Sequence, residues 1–211
     1  SIVINPHKWL YTPMSCSLLY TTHPEILHDA FSLVPEYLRS DIGNPQGLTS
    51  SADEEPVAAD LMNYGIQLGR PFRALKLWMV LSAYGRRGII DRLRGQLAMA
   101  SNLANQIDAH PDFERLAATP LGTVCFRLRP SVGCNSNDGT SLPAIDHDPY
   151  AELNERLMTM VNEEGIIFIS HTRLRGRLAL RLSIGNLRTT QADVDLAWQT
   201  LQRSAAYLAG G

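Results

Sequence analysis

Ser1-Ile2-Val3-Ile4-Asn5-Pro6-His7-Lys8-Trp9-Leu10 is a short β-branched run that stops at an Asn-Pro step and then presents a lysine between two ring-bearing side chains. Residues 1–4 read as a strand with neither a preceding partner nor a cap. They predict an element paired within a larger sheet, and a chain that is the C-terminal part of a longer polypeptide. A lysine amine set among aromatic rings is partly desolvated. Desolvation disfavours the ammonium, lowers the pKa and yields a nucleophile able to form a Schiff base with a carbonyl. The competing reading is a surface lysine whose methylene stem lies along a ring, and these ten residues alone leave both open.

Working outward, residues 14–22 alternate small and apolar side chains and read as a second strand returning from the lysine turn. Pro24 precedes a short helical stretch over 25–31. Residues 33–61 hold no sustained period and are dense in Pro, Gly, Ser, Asp and Asn, the pattern of a long loop that is functional or disordered. Tyr37, near its start, reads on its own residues as a half-buried loop anchor. Leu68-Gly69-Arg70-Pro71 opens a helix with Pro71 at its first position. Phe72, Leu75, Trp78, Met79 and Ser82 follow at three- and four-residue spacing up to Tyr84-Gly85. Arg70 just ahead of a helix start opposes the dipole, so it faces either a bound anion or an acidic surface residue. Arg73 and Lys76 read as solvent-facing or interfacial. Ile90, Leu93, Leu97, Ala100, Ala104 and Ile107 form a second stripe, stopped by His110-Pro111.

The remainder alternates as a small α/β unit. Residues 113–118 and 123–129 read as strands around the turn Thr119-Pro120-Leu121-Gly122, and 131–147 as a polar loop. Asp148 caps a helix with Pro149 at its first position, Leu153, Leu157 and Met160 on its apolar side, and Gly165 at its end. Residues 166–170 and 178–184 read as two more strands, joined by a basic turn with Arg173, Arg175 and Arg177 that reads as a solvated hairpin tip. Thr190 with Asp193 marks the start of a last helix carrying Val194, Ala197, Leu201, Ala205 and Leu208. Helices over one face of a mostly antiparallel sheet describe an α+β domain.

Asn5-Pro6-His7-Lys8-Trp9 resembles the pyridoxal-phosphate lysine motif of the group II amino-acid decarboxylases, the aromatic-L-amino-acid decarboxylase family. Ser1, Cys16-Ser17 leading into Leu18-Leu19-Tyr20, Pro35-Glu36-Tyr37-Leu38 and the block from Leu68 to Trp78 fall where the same signature puts them, so the resemblance covers essentially the whole chain. Ser15 and Thr21 depart from it, standing where an acidic and a basic residue are expected. The resemblance implies the end of a fold-type I pyridoxal-phosphate-binding large domain, an α/β domain, over residues 1–75, and a small C-terminal α+β domain over 76–211. It makes Lys8 the cofactor lysine, with His7 and Asn5 on the phosphate side of the pocket. Tyr37 takes the place of the catalytic tyrosine on a mobile loop, and Arg70 and Gly69 serve substrate or loop support. It further implies decarboxylation of an aromatic L-amino acid by a homodimer whose site lies at the subunit boundary, and a glycine at position 69, which goes with indole substrates in plant relatives, leans the substrate toward tryptophan. A pyridoxal-phosphate aldehyde synthase on the same scaffold is the enzyme alternative, opposed by Tyr37 where such relatives carry phenylalanine. A truncated chain acting only as a dimerisation partner is the non-enzyme one.

Composition describes an ordinary soluble globular protein, and the cysteines place the expectation in the cytoplasm. Of 211 residues, 45% are hydrophobic and 19% charged, with a net charge of −2, which leaves no basic stripe for nucleic acid. No apolar run approaches the roughly 18 residues of a membrane span. Cys16, Cys125 and Cys134 lack metal-ligand spacing and read as reduced thiols, the first two as core, and the six histidines suggest no metal site.

Overall fold

Ile2, Val3 and Ile4 form the strand that β-branching predicts, β1 (Ile2–Ile4), and it pairs antiparallel with β2 (Leu18–Tyr20) in the register Ile2↔Tyr20, Val3↔Leu19, Ile4↔Leu18. The computed structural model describes residues 1–32, 61–129, 144 and 146–210. It divides into two compact units, Ser1–Ala83 and Tyr84–Gly211. Tyr37 and most of the 131–147 loop lie outside the described residues.

In the first unit, a one-turn helix α1 (Pro6–Trp9) leads through β2 to α2 (Pro24–Phe31) and a 3-10 turn, Leu61–Tyr64, where the His28 ring meets Tyr64 edge-on at 5.8 Å. β2 is shorter than predicted, because residues 14–17 spend their hydrogen bonds on other partners. Helix α3 (Arg73–Ala109) begins two residues after Pro71, the Arg73 N–H donating to the Pro71 carbonyl at 2.8 Å. Its first apolar stripe has the expected spacing but stays exposed, with Phe72 at 76% and Trp78 at 64%. The helical conformation breaks at Gly85, whose φ of 65° and ψ of 167° suit a residue without Cβ. No described helix is long and apolar enough to cross a membrane.

In the second unit, β3 (Phe113–Arg115), β4 (Thr123–Leu128), β5 (Ser170–Leu174) and β6 (Arg177–Ser183) make an antiparallel sheet in the order β3-β4-β6-β5. One face carries Phe113, Val124, Phe126, Leu128, Leu178 and Leu180 into a core closed by α3, α4 (Ala151–Glu163) and α5 (Gln191–Gly210). From α3 the buried residues are Ile89, Gln96, Ala100, Leu103, Ala104 and Ile107, so the predicted stripe holds in its second half and shifts at its start. Cys125, expected in the core, is only half-buried on the opposite face, paired across the strands with Arg181. Burial pushes its thiol pKa up, and the Arg181 guanidinium offsets part of that.

Two side chains correct the reading of the sequence here. Helix α4 begins at Ala151 rather than at Pro149, and Asp148 both caps its approach and ties it to the sheet: Oδ1 accepts from the Tyr150 N–H at 3.2 Å and from Arg127 Nη1 at 3.0 Å, and Oδ2 from the Leu178 N–H at 2.7 Å. Arg127, also paired with Glu114, is thereby neutralised in a site where it is only 5% exposed. The predicted strand over 166–170 lies further on, at Ser170–Leu174. The Asn162 amide takes up both the N–H and the carbonyl of Ile169, at 2.8 and 3.0 Å. The hairpin then closes in a two-residue turn, Arg175-Gly176, with φ of 51° and 83°.

Asn154, fully buried on α4, repeats this device on β4. Its Oδ1 accepts from the Leu128 N–H at 2.7 Å, and its Nδ2 donates to the carbonyls of Leu128 and Tyr150, both at 2.9 Å. Asn154→Ala leaves buried backbone groups unpaired and should cost roughly 2–4 kcal/mol, read as a lower urea midpoint at unchanged slope. A midpoint within error of wild type would mean that water replaces the amide without loss.

Thr190 and Asp193 form the predicted box at the start of α5, Asp193 Oδ2 accepting from both the N–H and the hydroxyl of Thr190 at 2.8 Å. The Thr190 backbone N–H, then its hydroxyl, hold the Asp193 carboxyl below its ordinary value of 3.8. The unfolded chain therefore binds the proton first as pH falls, so the contribution is complete above the unfolded value and disappears as pH drops through the folded one. Wild type should exceed Asp193→Asn in stability at neutral pH and converge with it in acid, as measured by urea unfolding across pH 2–7. A gap that stays constant with pH would remove the carboxylate from the explanation.

Candidate active site

Pro6 sets the geometry of the lysine turn. Its fixed φ suits the first position of a helix, and its carbonyl accepts from the N–H groups of Leu10 and Thr12 at 3.0 and 3.3 Å, closing the chain after one turn. Asn5 stands at the cap position without capping by its side chain; instead its Oδ1 accepts the Ser17 hydroxyl at 2.6 Å. The Lys8 N–H donates to the Asn5 carbonyl at 2.9 Å. Asn5, His7 and Lys8 are thus gathered on one turn by local bonds.

His7 is held from the other side. Its Nδ1 lies 3.1 Å from the Cys16 N–H and 2.5 Å from the Cys16 carbonyl oxygen, and its own N–H donates to that carbonyl at 3.4 Å. The first Nδ1 contact needs an acceptor and the second a donor. One nitrogen meets only one at a time, but either choice fixes the ring and leaves Nε2 out of the clamp. Cys16 itself is buried as a free thiol, as expected.

Lys8 departs from the reading based on aromatic neighbours. Its side chain is exposed and the His7 ring is bonded to Cys16, so the desolvated setting predicted for the amine is not formed by the described residues. Gly69 and Arg70 lie on the connection ahead of α3 and make no hydrogen bond to Asn5, His7 or Lys8 among the described residues. A side chain on Gly69 would meet open space. The Arg70 guanidinium occupies the place a Cβ on Gly65 would take, and no described carboxylate pairs with it. Tyr37 falls outside the described residues.

Sequence reasoning missed the partners of this turn. Ser15, where an acidic residue was expected, accepts a hydrogen bond from Arg73 Nε at 3.3 Å, and Lys76 Nζ donates to the Met14 carbonyl at 3.0 Å. Neither cation is simply solvent-facing. Only the substitution at Ser15 hinted at a partner on α3.

The pyridoxal-dependent decarboxylase conserved domain matches residues 1–129. The chain belongs to this decarboxylase family. Tyrosine decarboxylase 4 of Petroselinum crispum is 34% identical over 97% of the chain and 37% of that protein, and a phenylacetaldehyde synthase of Arabidopsis thaliana is 32% identical over 99% and 38%. Among solved structures of the decarboxylase family, Catharanthus roseus tryptophan decarboxylase in complex with L-tryptophan superposes with a TM-score of 0.76 at 30% identity, covering 98% of the chain and 38% of that protein. Oryza sativa TDC with PLP and tryptamine gives 0.78 at 28% identity, with the same coverage. The chain therefore spans a little over a third of the length of the relatives it matches.

Proposed function

We propose that this chain carries the cofactor-attaching lysine of a pyridoxal-phosphate-dependent decarboxylase that converts an aromatic L-amino acid to its amine and carbon dioxide. The observation that carries the reading is Lys8, an exposed primary amine on a turn whose imidazole and amide are already oriented by Cys16 and Ser17. That donor set fits the group: an accessible amine for an aldehyde, beside an imidazole and an amide able to hydrogen-bond a phosphate. In this reading the first unit is the end of the cofactor-binding large domain, supported by the apolar strand pair exposed on both faces, and the second is the C-terminal α+β domain.

When bound, pyridoxal phosphate supplies an aldehyde carbon for amines and a ring that accepts the electrons left as the carboxylate departs. Lys8 Nζ would hold that aldehyde carbon when the cofactor is bound, as the amine that a substrate amine replaces. His7, its Nδ1 engaged by Cys16, and the Asn5 amide, its Oδ1 engaged by Ser17, would hold the phosphate side of the cofactor. Tyr37 Oη gives the proton that replaces the carboxylate on the substrate carbon. The active assembly is a cytoplasmic homodimer with its site at the subunit boundary.

The aldehyde synthase alternative is favoured by the similarity to phenylacetaldehyde synthase, whereas tyrosine at position 37 favours the decarboxylase. The glycine at position 69 leans the substrate toward tryptophan, as the family resemblance implies. A turnover assay of the intact natural polypeptide with tryptophan, tyrosine, dihydroxyphenylalanine and glutamate should give amine from the aromatic substrates, tryptophan first. Carbon dioxide from glutamate alone would overturn the aromatic assignment.

A further inference from the structure

Four consecutive residues of the first unit each form a hydrogen bond that reaches across the chain, and they divide in two. Met14 and Ser15 face α3: the Met14 carbonyl accepts from Lys76 Nζ at 3.0 Å and the Ser15 hydroxyl from Arg73 Nε at 3.3 Å. Cys16 and Ser17 face the lysine turn: the Cys16 backbone holds His7 Nδ1, and the Ser17 hydroxyl donates to Asn5 Oδ1 at 2.6 Å. Lys8 follows the two side chains that this second pair orients on the same turn, and its N–H is itself bonded to the Asn5 carbonyl.

We propose that residues 14–17 act as a brace through which Arg73 and Lys76 position Asn5 and His7 around Lys8, making Ser17, Arg73 and Lys76 positioning residues for the cofactor's phosphate side. The inference rests on the proposed function and adds to it a link from a helix outside the lysine motif. Donor and acceptor types are matched along the whole path. Cationic donors meet neutral oxygens at one end, which fixes the loop without cancelling a charge needed elsewhere. At the other end, the Ser17 hydroxyl takes the amide oxygen of Asn5, so the Asn5 Nδ2 donors are the ones presented to an anion. Without the Ser17 bond, the amide would be free to flip and present its oxygen to a phosphate. A ring or amide held in one orientation before binding costs less ordering when the ligand arrives, so the brace should be felt in cofactor affinity more than in folding.

The test uses the intact natural polypeptide and the dissociation constant for pyridoxal phosphate, read from quenching of protein fluorescence, with the pH dependence of the bound cofactor's visible absorbance as a second readout. Ser17→Ala and Lys76→Met should each raise the dissociation constant on the order of tenfold and displace the pH midpoint. Lys76→Arg, which keeps a cationic donor, should restore both. The double variant Ser17→Ala with Lys76→Met should be no weaker than about the worse single one, because both changes cut one path. Wild-type affinity and midpoint in both single variants would overturn the brace while leaving the decarboxylase reading intact, as would single effects that multiply in the double variant. A wild-type protein that takes up no pyridoxal phosphate would overturn the reading and the brace together.

Discussion

Lys8→Ala should abolish covalent fixing of pyridoxal phosphate by borohydride and lower amine formation by at least about 10²-fold, the low end of what one positioned proton-transferring group contributes. The reason is the primary amine. In the proposed function Nζ would supply the electron pair that attaches the aldehyde carbon, and no other side chain on the turn would replace it: His7 is clamped to Cys16 and Asn5 bears an amide. Lys8→Arg should fail equally, although it restores length and charge, because a guanidinium stays protonated at any pH the protein survives. Noncovalent cofactor should persist in both variants, since Asn5 and His7 remain. A reducible adduct in Lys8→Ala would move the attachment to Lys76, the other lysine of the sequence, and would require Lys76 to leave the Met14 carbonyl.

What could be read from the sequence was what short-range chemistry determines. Pro6 after Asn5 produced a turn that presents the lysine, Gly85 interrupted a helix, and Thr190 with Asp193 built a reciprocal cap, each within four residues. The antiparallel sheet under helices followed from alternating strands separated by glycine and proline turns. Contacts between distant residues were not legible. Arg73 and Lys76 reach oxygens 58 and 62 positions away, and helical periodicity places neither partner. Asp148 kept the local bond of a cap, to the Tyr150 N–H, but its bonds to Arg127 and the Leu178 N–H, 21 and 30 positions away, could not be read from spacing. The stripe from Phe72 to Met79 shows the same limit: spacing identifies an apolar face, not what covers it. Exposure of Lys8 was hidden for a related reason, since the ring expected beside it is held by backbone atoms nine residues on.

Tyr37→Phe should shift the product from amine toward aldehyde, and the change tests which atom of this residue matters. Both side chains carry the same ring, so anchoring of the surrounding segment is preserved and only the phenolic proton is lost. A positioned general acid is worth roughly 10²–10⁴ in rate, so amine formation should fall by a factor in that range. The substrate carbon that has lost its carboxylate then waits longer for a proton and becomes open to dioxygen. Reaction with dioxygen and water releases aldehyde, ammonia and hydrogen peroxide in place of amine, so oxygen uptake should rise as amine falls, one equivalent of peroxide accompanying each aldehyde. This is also where the two relatives meet, because a tyrosine decarboxylase and a phenylacetaldehyde synthase are similar to this chain to nearly the same degree, and one hydroxyl is enough chemistry to divide such outcomes. Cleaving the chain on either side of Tyr37 should likewise abolish amine formation but leave cofactor uptake through Lys8 unchanged, since presenting the acid and holding the cofactor are separate tasks. If Tyr37→Phe makes amine at the wild-type rate with no oxygen uptake, Tyr37 is a loop anchor. The proton must then come from another donor, with the Nε2 of His7, left out of the Cys16 clamp, the first candidate on this chain.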